Sequence, residues 1–430
     1  MAMRILAAVA VLMLCASAGA SGAYIVNADD IAMLVDAQGD ALLSRDGVKD
    51  IFEIRDGLYA VGAEGAYMLC DATGEHLLDD RFEMAWCDND ALILRQNGLL
   101  GAMGADNAWQ VKPAWRQLVS NGSGAFMAIS ADPGDDHADE IFYIRPTKAP
   151  VSTGIHTSNG LRPFSEGRMS FRSDNGLYGY LDARGRVALP TVWRYAGDFK
   201  SGVAIVSDGE SMGLIDKRGE EVVPLQYSWM ARGDGILAGL SPDGRLDVYA
   251  PDGRLLFYSV AGPITQAAIA GRAVAVTTEG MTKLLDGAGS CVIRASRDAL
   301  FSPGLGGQYI VRDGAWGDTC QWLIAQDGSA ASGRYQRLLP LIGGRYAFMA
   351  MSGTEYQSGD FDETLTEWDY DSIRYGLLDA SGHELLSAEY REIRAVGDDR
   401  LLLTDDLCVR FADLDGNVLQ TWPLNQLTSH

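Results

Sequence analysis

The sequence predicts an all-β fold, an array of about eleven three-stranded antiparallel units in a propeller-like arrangement. One pattern recurs along the chain: an apolar run, then Asp-x-x-Gly, then a second apolar run. Successive turn glycines lie about 35 residues apart, a spacing typical of one supersecondary unit in a repeat protein. A third strand-like segment of the form Gly-x-Ala-x-Val lies between consecutive copies.

Each copy of the pattern predicts a β-hairpin with a short turn. The clearest copies are GYLDARGRVALP at residues 179–190 and GLIDKRGEEVVP at residues 213–224. The Asp carboxylate can accept a hydrogen bond from the backbone N–H two residues on, and the Gly can adopt a positive φ without a Cβ clash. The predicted structural turn residues are Asp36, Gly39, Asp71, Gly74, Asp182, Gly185, Asp216, Gly219, Asp286, Gly289, Asp379, Gly382, Asp413 and Gly416.

The third strand of the unit precedes the hairpin. It is visible as FKSGVAIVSD from Phe199, GRAVAVTTE from Gly271 and GRYAFMAMS from Gly344. Together the three strands predict a small antiparallel meander whose neighbours share a continuous core.

Two intervals between turns depart from the period. Asn107, which takes the place of the turn glycine in a weaker copy, is 78 residues from Gly185, or about two periods. We therefore expect a degraded unit near residues 141–173. The step from Gly328 to Gly382 is 54 residues, and the excess coincides with an acidic, aromatic insertion at residues 352–372.

The arrangement of the units is less constrained by the sequence than the unit itself. Such units can sit radially as propeller blades or stack along an axis as a solenoid. Eleven units exceed the usual four to eight blades of a propeller. An open β-solenoid and two smaller propellers are therefore the alternatives to a propeller-like array.

Two consecutive segments, GLYGYLDARGRVALPTVWRYAGDFKSGVAIV at residues 176–206 and MGLIDKRGEEVVPLQYSW at residues 212–229, resemble the bacterial WG-repeat family, also called KWG repeats. The resemblance extends to residues 374–393 and is pattern-level elsewhere. The Trp-Gly pair that names the family is replaced here by Tyr178-Gly179, Met212-Gly213 and Tyr375-Gly376. The resemblance implies a binding or interaction role and no common catalytic residues.

Residues 1–23 have the layout of a secretory signal peptide: one cation at Arg4, an apolar run, and small residues at Ser21-Gly22-Ala23. The run is shorter than the roughly 20 residues that a membrane-spanning helix needs. We therefore expect residues 24–430 to form the repeat array, to be secreted or held in the cell envelope, and to contain no membrane span.

A net charge of −23 repels phosphate backbones, so nucleic acid is not an expected partner. The cysteines after residue 23 contain no CxxC pair or Cys/His cluster, so no metal site and no cofactor is predicted. We expect them to be buried free thiols; cross-strand pairing is the alternative, for Cys70 with Cys87 or for Cys291 with Cys320.

One catalytic motif is matched, the G-x-S-x-G of serine hydrolases at residues 209–213. A nucleophile elbow needs a strand before the serine and a helix after it, whereas this stretch aligns with residues 175–179, a turn that enters a strand. We therefore predict that Ser211 is not a nucleophile and that the protein is not an enzyme. The alternative is a carbohydrate-active enzyme with a carboxylate pair on a propeller, which needs acids from different units about 5 to 10 Å apart.

The insertion at residues 352–372 is the predicted recognition element. Like the acidic stretch at residues 134–140, it carries oxygen ligands of the kind Ca²⁺ prefers, without the spacing of a calcium loop. Exposed aromatic rings on a loop held by a rigid scaffold bury a large area at low entropic cost. The predicted binding residues are Tyr356, Phe361, Trp368 and Tyr370. The alternative is that these rings pack back against an apolar edge.

Together these observations predict an exported, non-enzymatic interaction scaffold. The expected partner is a protein or a glycan.

Overall fold

The computed structural model describes residues 23–28, 31–44, 48–55, 57–63, 65–77, 81–89, 91–131, 140–259, 264–314, 319–357 and 364–424. Apart from Ala23, the predicted signal peptide lies outside these residues. So do Phe361 and most of the acidic stretch at residues 134–140.

The described residues form eleven consecutive antiparallel units. Units 1 and 2 contain β1 (Tyr24–Ala28), β2 (Ile31–Val35), β3 (Ala41–Leu43), β4 (Asp50–Arg55), β5 (Leu58–Ala63) and β6 (Ala66–Asp71). Units 3 and 4 share one seven-stranded sheet made of β7 (Met84–Asp88), β8 (Ala91–Gln96), β9 (Leu99–Met103), β10 (Trp109–Ser120), β11 (Phe126–Ser130), β12 (Glu140–Ile144) and β13 (Val151–His156). The long β10 joins them, because its first half pairs with β9 and its second half with β11.

Units 5 to 8 follow the same order of strands. Units 5 and 6 contain β14 (Arg168–Arg172), β15 (Tyr178–Asp182), β16 (Val187–Trp193), β17 (Tyr195–Ala196), β18 (Val203–Ser207), β19 (Met212–Asp216) and β20 (Glu221–Tyr227). Units 7 and 8 contain β21 (Trp229–Arg232), β22 (Leu237–Leu240), β23 (Leu246–Tyr249), β24 (Leu255–Ser259), β25 (Gln266–Ala270), β26 (Ala273–Thr278), β27 (Met281–Leu285) and β28 (Cys291–Ser296).

Units 9 to 11 complete the array. Unit 9 contains β29 (Leu300–Pro303), β30 (Tyr309–Asp313) and β31 (Cys320–Ile324). Unit 10 contains β32 (Arg337–Pro340), β33 (Tyr346–Ala350), an inserted hairpin of β34 (Gly353–Gln357) and β35 (Thr364–Trp368), β36 (Arg374–Leu378) and β37 (Glu384–Tyr390). Unit 11 contains β38 (Glu392–Val396), β39 (Arg400–Thr404), β40 (Cys408–Asp413) and β41 (Val418–Pro423).

Several units have one more strand than the meander predicted from the sequence. In unit 6, the predicted strands are β18, β19 and β20, and the short β17 precedes them. The repeat pattern read from the sequence did not include this additional strand. In units 7, 8, 10 and 11 it is four or five residues long.

One apolar cluster lies between each unit and the next along the whole described chain. Between units 6 and 7, for example, the buried Leu214 and Val223 pack with Met230 and Leu237. Burying each unit's apolar faces in this way is the main stabilising contribution of a repeat array.

The last unit packs on the first. Val26 of β1 belongs to the same buried cluster as Val409 and Phe411 of β40. The Tyr24 ring lies 5.4 Å from the Phe411 ring, and the Tyr24 hydroxyl donates a hydrogen bond of 3.0 Å to Asp399. The eleven units therefore form a closed ring, and the predicted all-β, propeller-like arrangement is confirmed.

The Asp-x-x-Gly turns share one hydrogen-bond network. At Asp182, Oδ1 accepts from the N–H of Arg184 at 2.8 Å and from that of Arg186 at 3.0 Å, and the Gly185 N–H donates to the Asp182 carbonyl at 2.9 Å. The second of these carboxylate bonds, four residues on, was not foreseen from the sequence. The same pattern occurs at Asp36, Asp71, Asp216, Asp286, Asp379 and Asp413.

The glycine of each Tyr-Gly or Met-Gly pair is required for a different reason from the turn glycine: a neighbouring strand approaches it closely. Met212 pairs with Tyr227 and Leu214 with Val223, so β20 has two more residues than β19 across this stretch. The strand bulges toward Gly213, where a Cβ atom would lie 2.6 Å from the Val223 carbonyl oxygen. Only glycine fits beneath this bulge. The same close approach occurs at Gly101, Gly179 and Gly376.

Candidate interaction surface

The insertion of unit 10 contains a β-hairpin. Its strands β34 and β35 pair antiparallel, with Gly353 opposite Trp368 and Tyr356 opposite Leu365. Of the four predicted binding residues, Tyr356 and Trp368 therefore lie on the two strands of this hairpin. Phe361 lies outside the described residues. Tyr370 begins a short 3-10 helix, Tyr370–Ser372, that leads back to the sheet.

The base of the insertion is closed by hydrogen bonds. The Ser352 N–H donates to the Ser372 hydroxyl at 2.8 Å, and that hydroxyl donates to the Asp369 carbonyl at 2.6 Å. The Asp369 carboxylate accepts from the Asp371 N–H at 3.1 Å and caps the 3-10 helix. This base holds Tyr370 with 73% of its surface exposed.

A second loop, at residues 405–407 of unit 11, joins β39 to β40. The Asp405 carboxylate accepts from the N–H groups of Leu407 and Cys408, each at 2.8 Å, and pairs with Arg410. In this loop, 77% of the surface of Leu407 is exposed. Leu407 and Tyr370 have the two highest exposures among the large apolar side chains of the described residues.

An ion pair connects the two loops. Arg374, which follows the insertion, pairs with Asp406 at 3.0 Å, and Arg391 approaches the other oxygen of Asp406 at 3.4 Å. Tyr370 and Leu407 are therefore held on neighbouring elements of units 10 and 11. We call residues 369–374 and 405–407 the Tyr370–Leu407 surface. Tyr370 is one of the residues predicted from the sequence and Leu407 is not, because only the packing of unit 11 beside unit 10 brings the second loop here.

The charge of Asp405 is part of what holds this loop. Burial disfavours the carboxylate, but hydrogen bonds from Leu407 and Cys408 and the pairing with Arg410 outweigh burial and lower the pKa of Asp405 to about 2. A lowered pKa gives a stabilisation that is present above the unfolded value, near 3.9, and is lost as the pH falls toward 2.

We expect Asp405→Asn to lower the free energy of unfolding at pH 5 by about 1 kcal/mol, because it keeps an acceptor oxygen but loses the charge beside Arg410. The difference between wild type and variant should shrink as the pH falls from 4 toward 2. Urea unfolding at a series of pH values measures it. A difference that does not change with pH would show that the carboxylate charge is not what holds the loop.

The serine of the G-x-S-x-G match has a local role in a turn. Ser211 lies in the turn before β19, where its N–H donates to Asp208 at 2.8 Å, and a strand follows it in place of the helix that a nucleophile elbow needs. Within the described residues, no group of three or more His, Cys, Asp or Glu side chains is placed to hold a metal ion. No helix in the described part of the chain is long and apolar enough to cross a membrane.

The five cysteines after residue 23 lie in five different units. Cys70 and Cys408 are buried, Cys87 and Cys320 are partly buried, and Cys291 is exposed, so the expectation of buried thiols is wrong for Cys291. Asp247 is buried in unit 7, where it accepts hydrogen bonds from the Tyr227 hydroxyl at 2.5 Å and from Arg245 at 2.8 Å.

Two consecutive segments of the chain match a known family model. A family model described as WG containing repeat matches residues 178–210 and 212–232. The resemblance seen in the sequence is thereby confirmed. No curated protein matches the chain.

Solved structures show distant likenesses. BamB from Moraxella catarrhalis is 12% identical, with 67% of this chain and 90% of that chain covered and a TM-score of 0.27. Hsv2 from Kluyveromyces lactis is 9% identical, with 61% and 97% covered and a TM-score of 0.31. A structure described as the eukaryotic initiation factor is 9% identical, with 94% and 96% covered and a TM-score of 0.41.

Proposed function

We propose that this protein, a closed ring that carries WG repeats, is an exported, non-enzymatic interaction scaffold that binds a protein partner through the Tyr370–Leu407 surface. The observation that carries the proposal is the exposure of Tyr370 and Leu407 on two loops that the Arg374–Asp406 ion pair connects. Large apolar side chains that are exposed on a rigid scaffold are good anchors for a partner.

The charge around these anchors favours a basic partner. The insertion at residues 352–372 contains seven Asp and Glu residues and no Lys or Arg. On the neighbouring loop, Asp405 and Asp406 are already paired with arginines of this chain. We therefore expect a partner that has apolar pockets for Tyr370 and Leu407 and a rim of Lys and Arg. Charge complementarity of this kind mainly accelerates association and makes it sensitive to salt.

The test compares the chain of residues 24–430 with a variant that lacks residues 354–371 and with Leu407→Ser, as baits in pull-downs from envelope and secreted fractions. We expect the bait to retain a basic protein, Leu407→Ser to weaken its retention at least tenfold, and the deletion to abolish it, because hot-spot residues at the centre of an interface dominate its affinity. Raising the salt concentration should slow the association.

Tyr258→Ala is the matched control, because Tyr258 lies on β24 of unit 7 and is 60% exposed. This variant should retain the partner as well as the unchanged bait does. A partner that survives both the deletion and Leu407→Ser would refute the Tyr370–Leu407 surface as the binding site.

Export is tested separately. The pattern at residues 1–23 supports it. We expect fractionation and N-terminal sequencing of the protein expressed in its own host to find a chain that begins near residue 24 outside the cytosol. A cytosolic chain that retains residues 1–23 would contradict this part of the proposal.

A further inference from the structure

The charge of the chain is unevenly distributed. Residues 141–200 contain nine Lys and Arg against four Asp and Glu, a net charge of +5, in a chain whose total is −23. All other residues together therefore carry −28. A cationic segment within so acidic a protein opposes the overall sign of the field and is a candidate for binding an anion.

A groove lies in this segment, between units 4 and 5. Its volume is about 470 Å³, within the range of small-molecule sites. One wall is formed by β12 and β13 and includes Tyr143, Val151 and Ser152. The other lining residues belong to the turn between β15 and β16 of unit 5 and to the start of β16, and they include Arg184 and Arg186. The groove therefore combines an aromatic ring, apolar side chains, a hydroxyl and two guanidinium groups.

Two further cations lie beside the groove, where unit 4 departs from the consensus of the repeat. In unit 4, the turn between β12 and β13 is Arg145-Pro146-Thr147-Lys148, and the Lys148 N–H donates to the Arg145 carbonyl at 3.1 Å. Arg145 thus stands where other units have the turn Asp, and Lys148 stands where they have the turn Gly. Thr147 takes the positive φ, at 62°. The Arg145 guanidinium lies 6.0 Å from the centre of the Tyr143 ring, beside the groove.

The arginines differ in their availability. Arg186 is fixed by Asp182, which accepts from its Nε at 2.9 Å and from one Nη at 2.7 Å. That pairing neutralises Arg186 but orients its guanidinium. Arg184 is exposed, and its side chain lines the groove. It is therefore the cation that can form a bidentate pair with an incoming carboxylate.

The edge of β13 does not favour an added peptide strand. Gly154 has a φ of 65°, and its N–H already donates to Glu140 and to the Ser152 hydroxyl, at 3.2 and 3.1 Å. The Ile155 N–H donates to the Thr153 hydroxyl at 3.2 Å. Strand addition needs regular backbone and available N–H groups, and this edge offers neither.

We propose that this groove is a binding site for an acidic sugar of one or two rings, separate from the Tyr370–Leu407 surface. Arg184 binds the carboxylate of the sugar. Tyr143 supplies an aromatic surface for a sugar ring. The Ser152 hydroxyl already donates to Glu140 and accepts from the Gly154 N–H, so it orders the wall of the groove and does not bind the sugar. The volume of the groove suits one or two rings, and the apolar side chains of Val151 and Val187 border it.

The test is isothermal titration calorimetry of residues 24–430 with a uronate-containing disaccharide and with its methyl ester, which has the same rings and no charge. We expect the acid to bind and the ester to bind at least tenfold more weakly. Arg184→Gln should weaken binding of the acid at least tenfold without changing the melting temperature, because Arg184 is exposed.

Arg194→Gln is the matched charge control, because Arg194 is an exposed cation of the same segment that does not line the groove. At 0.15 M salt we expect it to change the affinity less than twofold, since Arg194 does not contact the groove and salt screens the interaction between exposed charges. Equal losses in the two variants, equal binding of acid and ester, or no binding of the acid would each overturn the proposal. Competition by an acidic peptide as effective as the disaccharide would overturn the assignment to a sugar.

Discussion

Gly328→Ala is expected to lower the free energy of unfolding by about 3 kcal/mol, whereas Gly280→Ala lowers it by about 1 kcal/mol. Both glycines have positive φ values, 83° and 90°, so alanine is strained at either position. They differ in their surroundings. A Cβ atom at Gly328 would lie 2.0 Å from the Val292 carbonyl oxygen of the preceding unit, and one at Gly280 would have no neighbour within 4 Å.

The comparison separates two reasons for a turn glycine. Backbone strain is common to both variants, so the difference between them measures the contact between units 8 and 9. Relief of the clash requires the turn of unit 9 to move away from β28, which opens the cluster that joins the two units. Urea unfolding of both variants beside wild type gives the two free energies. Equal losses would show that the units separate at this point without cost.

This double role marks a limit of sequence reasoning. The Asp-x-x-Gly turns could be predicted because their chemistry is local. The Asp carboxylate accepts from N–H groups only two and four residues further along the chain, and the glycine adopts a positive φ. The partner of Gly328 is Val292, in another unit, and no local pattern connects them. The same holds for Gly213, which needs to be glycine because β20 bulges toward it.

The irregular part of the array shows a similar limit. The 78 residues from Asn107 to Gly185 predicted an additional unit, and this interval contains β12, β13 and the turn at Arg145-Pro146-Thr147-Lys148. The period could be counted because repetition survives the loss of individual residues. The groove beside Arg184 could not be predicted, because it depends on how the turn of unit 5 lies against β13.

Only one part of the candidate site could be predicted from the sequence. An insertion rich in aromatic residues breaks the period, and this identified Tyr370. Leu407 lies in a loop of ordinary length in the next unit, and nothing in its sequence distinguishes it. Only the ion pair of Asp406 with Arg374 connects the loop of Leu407 to that of Tyr370.

Phe411→Ala is expected to lower the free energy of unfolding by about 3 to 5 kcal/mol, the usual range for a fully buried phenylalanine. Phe411 is fully buried in the cluster where unit 11 packs on unit 1. Its ring lies 5.4 Å from Tyr24 and 6.4 Å from Trp422. The variant leaves a cavity at the joint that closes the ring, and denaturant unfolding measures the loss.

A double-mutant cycle with Tyr24→Ala tests the closure itself. In a closed ring the two aromatic side chains touch, so their effects should deviate from additivity by about 1 kcal/mol. Tyr24→Ala combined with Phe348→Ala is the control, since Phe348 lies in unit 10 and belongs to a different cluster. The control pair should be additive within about 0.5 kcal/mol. In an open array, Tyr24 would have no contact with Phe411, and both cycles would be additive. Coupling between residues near the two ends of the chain therefore requires that unit 11 closes on unit 1 in solution.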